Sequence, residues 1–193
     1  MLKRRHSLVF GVMTAVLLLA VLWGREVRSM QNYTDPAGPR FVGEFAPPPP
    51  FFDGVLTVVT WNIRYGLAVE TAVTELKNNP TLHNADILLL QEMDETGVAA
   101  MAQELGYNYV TYPMSVLSYH GRNFGNAILS KWPIVTDGKL LLPHRNPSNE
   151  QRRNAVYATI SVAGQGDRGL QCAYRNGLAA GRNAPGPGAG HCR

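Results

Sequence analysis

Residues 55–61 read VLTVVTW and residues 87–90 read ILLL, two short runs dominated by β-branched and aliphatic side chains. Continuous apolarity of this kind is typical of strands that are buried on both faces of a sheet. Between the two runs, four apolar residues recur at helical spacing: Val69, Ala72, Val73 and Leu76. Asn78-Asn79-Pro80 predicts the end of that helix. A strand, a helix and a strand in this order predict a βαβ unit whose strands are parallel.

Short apolar segments continue after residue 90. They predict a helix over residues 98–105 that ends at Gly106, and strands over residues 108–112, 127–129, 134–142 and 155–162. Pro113 predicts the end of the first of these strands, and Asp137-Gly138 makes the third a strand or a hairpin. The fold class is therefore α/β or α+β with a mixed sheet. We predict that this domain covers residues 53–162, starting at the turn Asp53-Gly54.

The N-terminus combines three basic residues with an apolar run, residues 7–24, that has no charged side chain. This pattern is typical of segments that an export machinery recognises, and a helix needs roughly 20 apolar residues to span a membrane. We predict that residues 1–28 are a membrane anchor or signal segment, with residues 7–24 in the membrane. The domain then lies outside the cytoplasm, in a periplasmic or extracellular space, and secretion after signal cleavage is the alternative.

Two segments beside the domain have unusual compositions. Residues 29–52 contain four consecutive prolines, which predict an extended, stiff linker. Residues 163–193 are rich in Gly, Ala and Arg and have no Val, Ile, Phe or Met, which predicts a disordered tail. Both cysteines, Cys172 and Cys192, lie in that tail, so a cysteine zinc cluster is excluded, and a disulfide between them is compatible with an extracytoplasmic location.

Net charge says little about the substrate. The formal net charge of +4 suggests nucleic-acid binding at first. Most of the excess, however, comes from basic residues that flank the apolar run and from four arginines in the tail. The predicted domain is close to neutral.

Two polar residues follow the two best predicted strands, namely Asn62 and Glu92. Because the carboxyl ends of parallel neighbours meet at one edge of a sheet, about 4.8 Å apart, these side chains can converge on one site. Amide and carboxylate oxygens are suitable ligands for Mg²⁺, which keeps several waters and is often held by one or two carboxylates plus substrate phosphate. A turn-forming asparagine and a helix-capping glutamate are the alternatives.

Three sequence words occur in order along the domain: TWNIRYG at residues 60–66, ADILLLQE at residues 85–92 and GNAILSKWPI at residues 125–134. Together they resemble the endonuclease/exonuclease/phosphatase family, and RNAV at residues 153–156 is more loosely similar to its next strand. The resemblance covers residues 55–162. It implies a four-layered α/β sandwich, of which this chain has a part, and hydrolysis of phosphoesters with Mg²⁺ or Mn²⁺.

The resemblance also implies roles for individual residues. Glu92 is the implied metal ligand, with Asn62 beside the metal and phosphate, and Asn126 is a catalytic candidate or a structural residue of its strand. Tyr119, Arg122 and Arg153 are candidate substrate-binding residues. The substrate is a phosphoester of a nucleic acid, a nucleotide or a phospholipid headgroup, and no protein partner is predicted.

The second half of the family pattern is missing from this sequence. The family supplies its catalytic base and further acids from Asn-x-His, Gly-Asp-x-Asn and Asp-His words, and none of them occurs after Val162. We therefore expect a truncated or frame-shifted product that is inactive as a phosphoester hydrolase. A non-catalytic, membrane-tethered fragment or binding module is the alternative function.

Overall fold

The computed structural model describes residues 13–19, 31–117 and 121–162, and the backbone of residues 170–176 and 190–192. Residues 13–19 are helical (α1). The other helices are α2 (Val69–Asn78) and α3 (Glu95–Leu105). The strands are β1 (Gln31–Asn32), β2 (Phe41–Gly43), β3 (Val58–Asn62), β4 (Ile87–Met93), β5 (Asn108–Leu117), β6 (Arg122–Ser130), β7 (Ile134–Arg145), β8 (Arg152–Val162), β9 (Leu170–Asn176) and β10 (Gly190–Cys192).

The described strands form two sheets. The first has the order β1-β5-β6-β4-β3, with β2 also paired to β5, and the second has the order β10-β9-β8-β7. In the first sheet β3 and β4 are parallel, as the βαβ pattern predicts, whereas β4, β6 and β5 are antiparallel neighbours. The prediction of a mixed sheet in an α/β or α+β fold is confirmed.

Side chains on the two faces of the first sheet enter two separate cores. Leu88 and Leu90 of β4 pack with residues of α2 and α3, whereas Ile87 and Leu89 pack with Val156 and its neighbours on β8. Since β4 is buried on both faces, its sequence has no polar alternation. The described part of the chain therefore has three layers: helices, the first sheet and the second sheet.

Strand β5 runs past the point where Pro113 predicts its end. It continues to Leu117, with a register shift between Pro113 and Ser115 opposite β6. Proline has no N–H to donate to a ladder, and it is tolerated in strands at irregularities of this kind. The prediction of a strand end at Pro113 is wrong for this reason.

The predicted linker is partly docked on the domain. Both β1 and β2 pair with β5, Tyr33 N donates to Met114 O at 2.8 Å, and Arg40 makes two hydrogen bonds to Asp137 of 2.7 and 2.6 Å. The folded unit thus includes residues that precede the predicted start at residue 53. An open strand edge offers unpaired backbone groups, and the composition of residues 29–52 gave no signal that they would cover it.

The tail also differs from the prediction of disorder throughout. Strand β9 pairs with β8, and β10 pairs with β9 so that the backbone of Cys192 lies opposite Cys172. Backbone pairing to an edge strand needs little from the side chains, so a Gly-rich composition does not prevent it. The disulfide between the two cysteines stays a prediction.

Most of the predicted membrane segment lies outside the described residues. Its described portion, residues 13–19, is helical and exposed. Within the described ranges, the structure contains no helix with the length and apolarity that a membrane crossing requires. The anchor or signal function of residues 1–28 stays a prediction.

Candidate functional site at the carboxyl end of β3 and β4

Asn62 and Glu92 lie at the same edge of the first sheet. The parallel register pairs Asn62 with Gln91, one residue before Glu92, and Ile63 N donates to Gln91 O at 3.0 Å. The predicted juxtaposition follows from the parallel ladder, because both strands present their carboxyl ends there. The metal-binding roles of the two residues stay predictions.

Glu92 occupies a strained position. Its φ is 60°, and the ladder between β4 and β6 shifts register across it, between Gln91 and Met93. A bulge of this type re-aims a side chain that would otherwise follow the regular alternation of a strand. Left-handed backbone at a residue other than glycine costs of order 1–3 kcal/mol and is concentrated at functional sites. The half-buried Glu92 is therefore held at the sheet edge against a local cost.

The loop after β3 is tied to the Glu92 carboxylate. Asn62 Oδ1 accepts a hydrogen bond from Arg64 N at 2.9 Å, and Tyr65 N donates to Glu92 Oε2 at 3.2 Å. Arg64, Tyr65 and Gly66 have successive φ values of 48°, 61° and 64°. The Tyr65 ring also lies 5.6 Å from the Phe124 ring, centroid to centroid. The loop of residues 62–66 thus forms a compact turn over the end of β4.

An ion pair between the partly exposed Arg122 and the buried Asp94 supports this turn from below. The Asp94 side chain is 4% exposed, caps α3 by accepting from Gly97 N at 2.7 Å, and forms an ion pair with Arg122. Gly66 packs on the pair, since a Cβ there would lie 2.9 Å from Asp94 Oδ2. Arg122 is therefore already engaged by a carboxylate, and its role as a substrate-binding residue stays a prediction. Sequence reasoning missed Asp94, although an aspartate directly before a helix is a capping signal.

Asn126 links the two sheets. Its Nδ2 donates to Asn154 O at 2.8 Å and to Asn154 Oδ1 at 3.2 Å, and Asn154 Nδ2 donates to Tyr112 O at 2.9 Å. The preceding Gly125 is required by space, because a Cβ there would lie 2.3 Å from Tyr112 O. These contacts give Asn126 a structural role, and its catalytic role stays a prediction.

A small surface pocket brings three of the predicted residues together. Glu92, Asn126 and Arg153 line it together with Arg152 and Asn154. Arg152 and Asn154 were not singled out in the sequence, because only the packing of β8 against the first sheet brings them to the site. Tyr119 lies outside the described residues.

The residues at this edge fit a weakly chelated hard cation. One carboxylate, Glu92, and one amide oxygen of Asn62 are available, and a carbonyl oxygen that accepts one hydrogen bond keeps a second lone pair. Among the described residues, no group of three or more His, Cys, Asp or Glu side chains could hold a metal. One carboxylate and one amide oxygen are a donor set of the kind that suits Mg²⁺ or Mn²⁺, which retain water ligands.

A cluster away from this edge has shifted pKa values. Asp137 accepts hydrogen bonds from Arg40 and, at 2.6 Å, from Tyr112 Oη. The Arg40 hydrogen bonds lower the pKa of Asp137, and burial raises the pKa of Tyr112 to about 12. Because this cluster fastens the docked segment to β7, its shifted pKa values have a structural cause.

Comparison with known protein families gives a match over most of the described domain. Residues 59–186 match the model described as the Endonuclease/Exonuclease/phosphatase family, a range that includes the site edge and extends beyond Val162. A comparison with curated proteins finds no match. The family match covers well over half of the 193 residues. The chain belongs to the endonuclease/exonuclease/phosphatase family.

Proposed function

We propose that this domain binds a divalent cation, Mg²⁺ or Mn²⁺, through Glu92 and Asn62 and that the bound cation receives a phosphoester group. The observation that supports this most strongly is the hydrogen bond from Tyr65 N to Glu92 Oε2. It ties the loop that begins at Asn62 to a carboxylate whose own backbone is strained, with φ at 60°. Membership of a generally hydrolytic family supports the phosphoester as the ligand class.

Each group at the edge has a distinct task in this proposal. A bound divalent cation polarises phosphoryl oxygens and acidifies a bound water. Glu92 holds the cation, and the Asn62 amide orients it or the phosphate. Arginine side chains at the pocket offset the charge of the phosphate, since guanidinium groups match phosphate geometry. The Asp94–Arg122 pair holds the turn in place beneath these groups.

We further propose that this chain binds the cation without efficient hydrolysis. In-line attack on a phosphoester needs a base for the attacking water and donors for the developing charge. The Asn-x-His, Gly-Asp-x-Asn and Asp-His words that provide them in the family do not occur after Val162 in this sequence. The same observation favours the alternative function, a non-catalytic binding module tethered to a membrane by residues 7–24.

The first experiment measures Mn²⁺ binding by electron paramagnetic resonance. We expect the chain to bind Mn²⁺. Glu92→Gln should weaken Mn²⁺ binding by at least about tenfold, because substituting even a residue that only hydrogen-bonds to a metal ligand typically costs that much affinity. The matched control is Glu104→Gln, which removes the same charge at an exposed residue of α3. Glu104 forms an ion pair with Lys77 of α2 at 2.7 Å. Equal affinities in all three proteins would remove Glu92 from the site.

A hydrolysis assay then distinguishes an active phosphoester hydrolase from a non-catalytic binding module. With Mg²⁺ or Mn²⁺ and bis(p-nitrophenyl) phosphate, we expect the chain to show no turnover above that of Glu92→Ala. Turnover that depends on Glu92 would show that the chain is an active hydrolase. A panel of single-stranded DNA, nucleotides and phospholipid headgroups would then identify the substrate class.

The location outside the cytoplasm is also a proposal, supported by the basic N-terminus and the uncharged run of residues 7–24. We expect the chain to sediment with membranes and to resist extraction with carbonate. Replacing Leu17 and Leu18 by Arg should release it into the soluble fraction. Complete extraction of the unaltered chain by carbonate would contradict the membrane tether.

A further inference from the structure

We propose that Arg152 is the residue that binds the phosphate group of a substrate next to Glu92. The phosphate would sit at the mouth of the pocket that Arg152 and Glu92 both line. This inference rests on the proposed function for the identity of the anion. The assignment to Arg152 rests on its face of β8, its unpartnered Nε and its fixed backbone.

Strand alternation points Arg152 toward the site. Successive side chains of a strand face opposite sides, so Arg152 shares a face with Asn154 and Val156. The Asn154 side chain bonds to Tyr112 O and to Asn126 of the first sheet, and Val156 is buried between the sheets. Arg153 begins on the opposite face of β8. Both adjacent arginines line the pocket with Glu92, but Arg152 is the one on the face of β8 that packs between the sheets.

The Arg152 guanidinium has an unused donor. Its Nε is buried and has no hydrogen-bond partner in the described structure. Arg122 differs, since it forms an ion pair with Asp94, and the ion pairs found in the described ranges include none to Arg152. A buried donor without an acceptor costs about 1–3 kcal/mol, so its presence needs an explanation such as a missing ligand.

The backbone at the start of β8, which carries Arg152, is held by hydrogen bonds to the N-terminal segment. Arg152 N donates to Asn32 Oδ1 at 2.8 Å, and Asn32 Nδ2 donates to Glu150 O at 3.1 Å. The docked N-terminal segment thus holds the backbone of Arg152 in place. The guanidinium carried by this backbone has a planar fork of donors that matches two phosphate oxygens.

The test measures binding of inorganic phosphate to the full chain by phosphorus-31 NMR, first in EDTA and then with Mn²⁺. We expect Arg152→Gln to weaken phosphate binding by roughly tenfold to a hundredfold, as the loss of a charged hydrogen bond predicts. Arg145→Gln is the matched control. Arg145 is paired with Arg152 in the ladder between β7 and β8, so this change removes the same charge nearby. The Arg145 side chain already forms an ion pair with Glu150, at 3.0 Å. We expect Arg145→Gln to change binding by less than twofold.

Two further variants protect the test against misfolding and against the neighbouring arginine. Arg152→Lys keeps the charge but loses the planar fork of donors, so it should bind phosphate more weakly than the unaltered chain. It provides the test if Arg152→Gln fails to fold. Arg153→Gln should have the smaller effect of the two adjacent changes. Unchanged binding in both Arg152 variants, a larger effect at Arg153, or no phosphate binding by the unaltered chain would overturn the inference.

The design separates this inference from the proposed cation site. Arg152→Gln should leave Mn²⁺ affinity unchanged, whereas Glu92→Gln should reduce it. If Glu92→Gln leaves Mn²⁺ binding intact but Arg152→Gln still weakens phosphate binding in EDTA, the cation site is wrong and the anion site stands. The converse result leaves the cation site and removes the anion site.

Discussion

Glu92 is a charged residue in a left-handed backbone conformation, with φ at 60°, at a bulge beside a turn whose residues are also strained. Stability alone does not favour such an arrangement, because the backbone cost is of order 1–3 kcal/mol for each residue. The contacts of Tyr65 with Glu92 and Phe124 hold the turn of residues 62–66 in place. At the scale of single residues, the site is therefore a strained turn that its neighbours stabilise.

The first residue-scale prediction concerns Gly66, whose φ is 64°. Gly66→Ala should lower the free energy of unfolding by about 2 kcal/mol or more, from left-handed strain and from displacement of Asp94. Gly121→Ala is the control, since its φ is 62° but a Cβ there meets nothing within 4 Å. Urea denaturation should show that the Gly66 change costs at least about 1 kcal/mol more. Equal losses would mean that the Asp94 contact contributes nothing.

The sequence predicted the positions of Asn62 and Glu92 because a general rule connects parallel strand ends to one sheet edge. It did not predict the pairing of Asp94 with Arg122, since that contact depends on β6 returning antiparallel to β4. It singled out Arg153 from a loose resemblance and passed over Arg152. The difference between the two arginines becomes visible only when β8 is placed against the first sheet.

At the scale of elements, the N-terminal segment is part of the folded unit. Residues 31–32 and 41–43 pair with β5, and the Arg40 hydrogen bonds to Asp137 attach the segment to β7. The composition of residues 29–52 predicted a spacer because four prolines favour an extended chain. An extended chain is also what an open strand edge can pair with. The four prolines, residues 47–50, lie outside β1 and β2, so the sequence predicted neither these two strands nor their docking.

This docking predicts a pH dependence of stability. The pKa of Asp137 is lowered below its ordinary value of 3.8, first by the hydrogen bonds from Arg40. The unfolded chain lacks these bonds, so their stabilisation is present above about pH 4 and is lost as the pH falls through the lowered pKa. We expect Asp137→Asn to destabilise the chain at pH 7 and this difference to shrink at lower pH.

Urea denaturation at several pH values between 7 and 2.5 measures this difference. Asp53→Asn is the control, because Asp53 is exposed and forms no ion pair with any residue in the described ranges. A destabilisation by Asp137→Asn that stays constant across this range would show that the carboxylate charge is not what holds the segment.

At the scale of the whole molecule, the sheets leave an open edge. The described strands give β3 a neighbour on one side only, β4, and its sequence VVTWN contains no charge and no proline. Natural sheets commonly protect such edges with lysine or proline. We therefore expect residues 31–193 to be poorly soluble and to associate through β3.

Sedimentation velocity tests this association. Val58 is 38% exposed at the start of β3, and Val58→Lys should raise the monomer fraction. Val55→Lys adds the same charge at a more exposed valine, 69%, that lies outside the strand, and should have little effect. A monomer that melts cooperatively without either change would contradict the proposed association.

The most direct measurement for the molecule as a whole is the location of bound Mn²⁺ by paramagnetic broadening in the amide NMR spectrum of the nitrogen-15-labelled chain. If Glu92 and Asn62 hold the cation, substoichiometric Mn²⁺ will broaden the amide signals of residues 62–66 and of Glu92 first, and Glu92→Gln will abolish this pattern. Broadening centred on Asp137 or Glu150, or an identical pattern in Glu92→Gln, would contradict the assignment of the cation site to the end of β3 and β4.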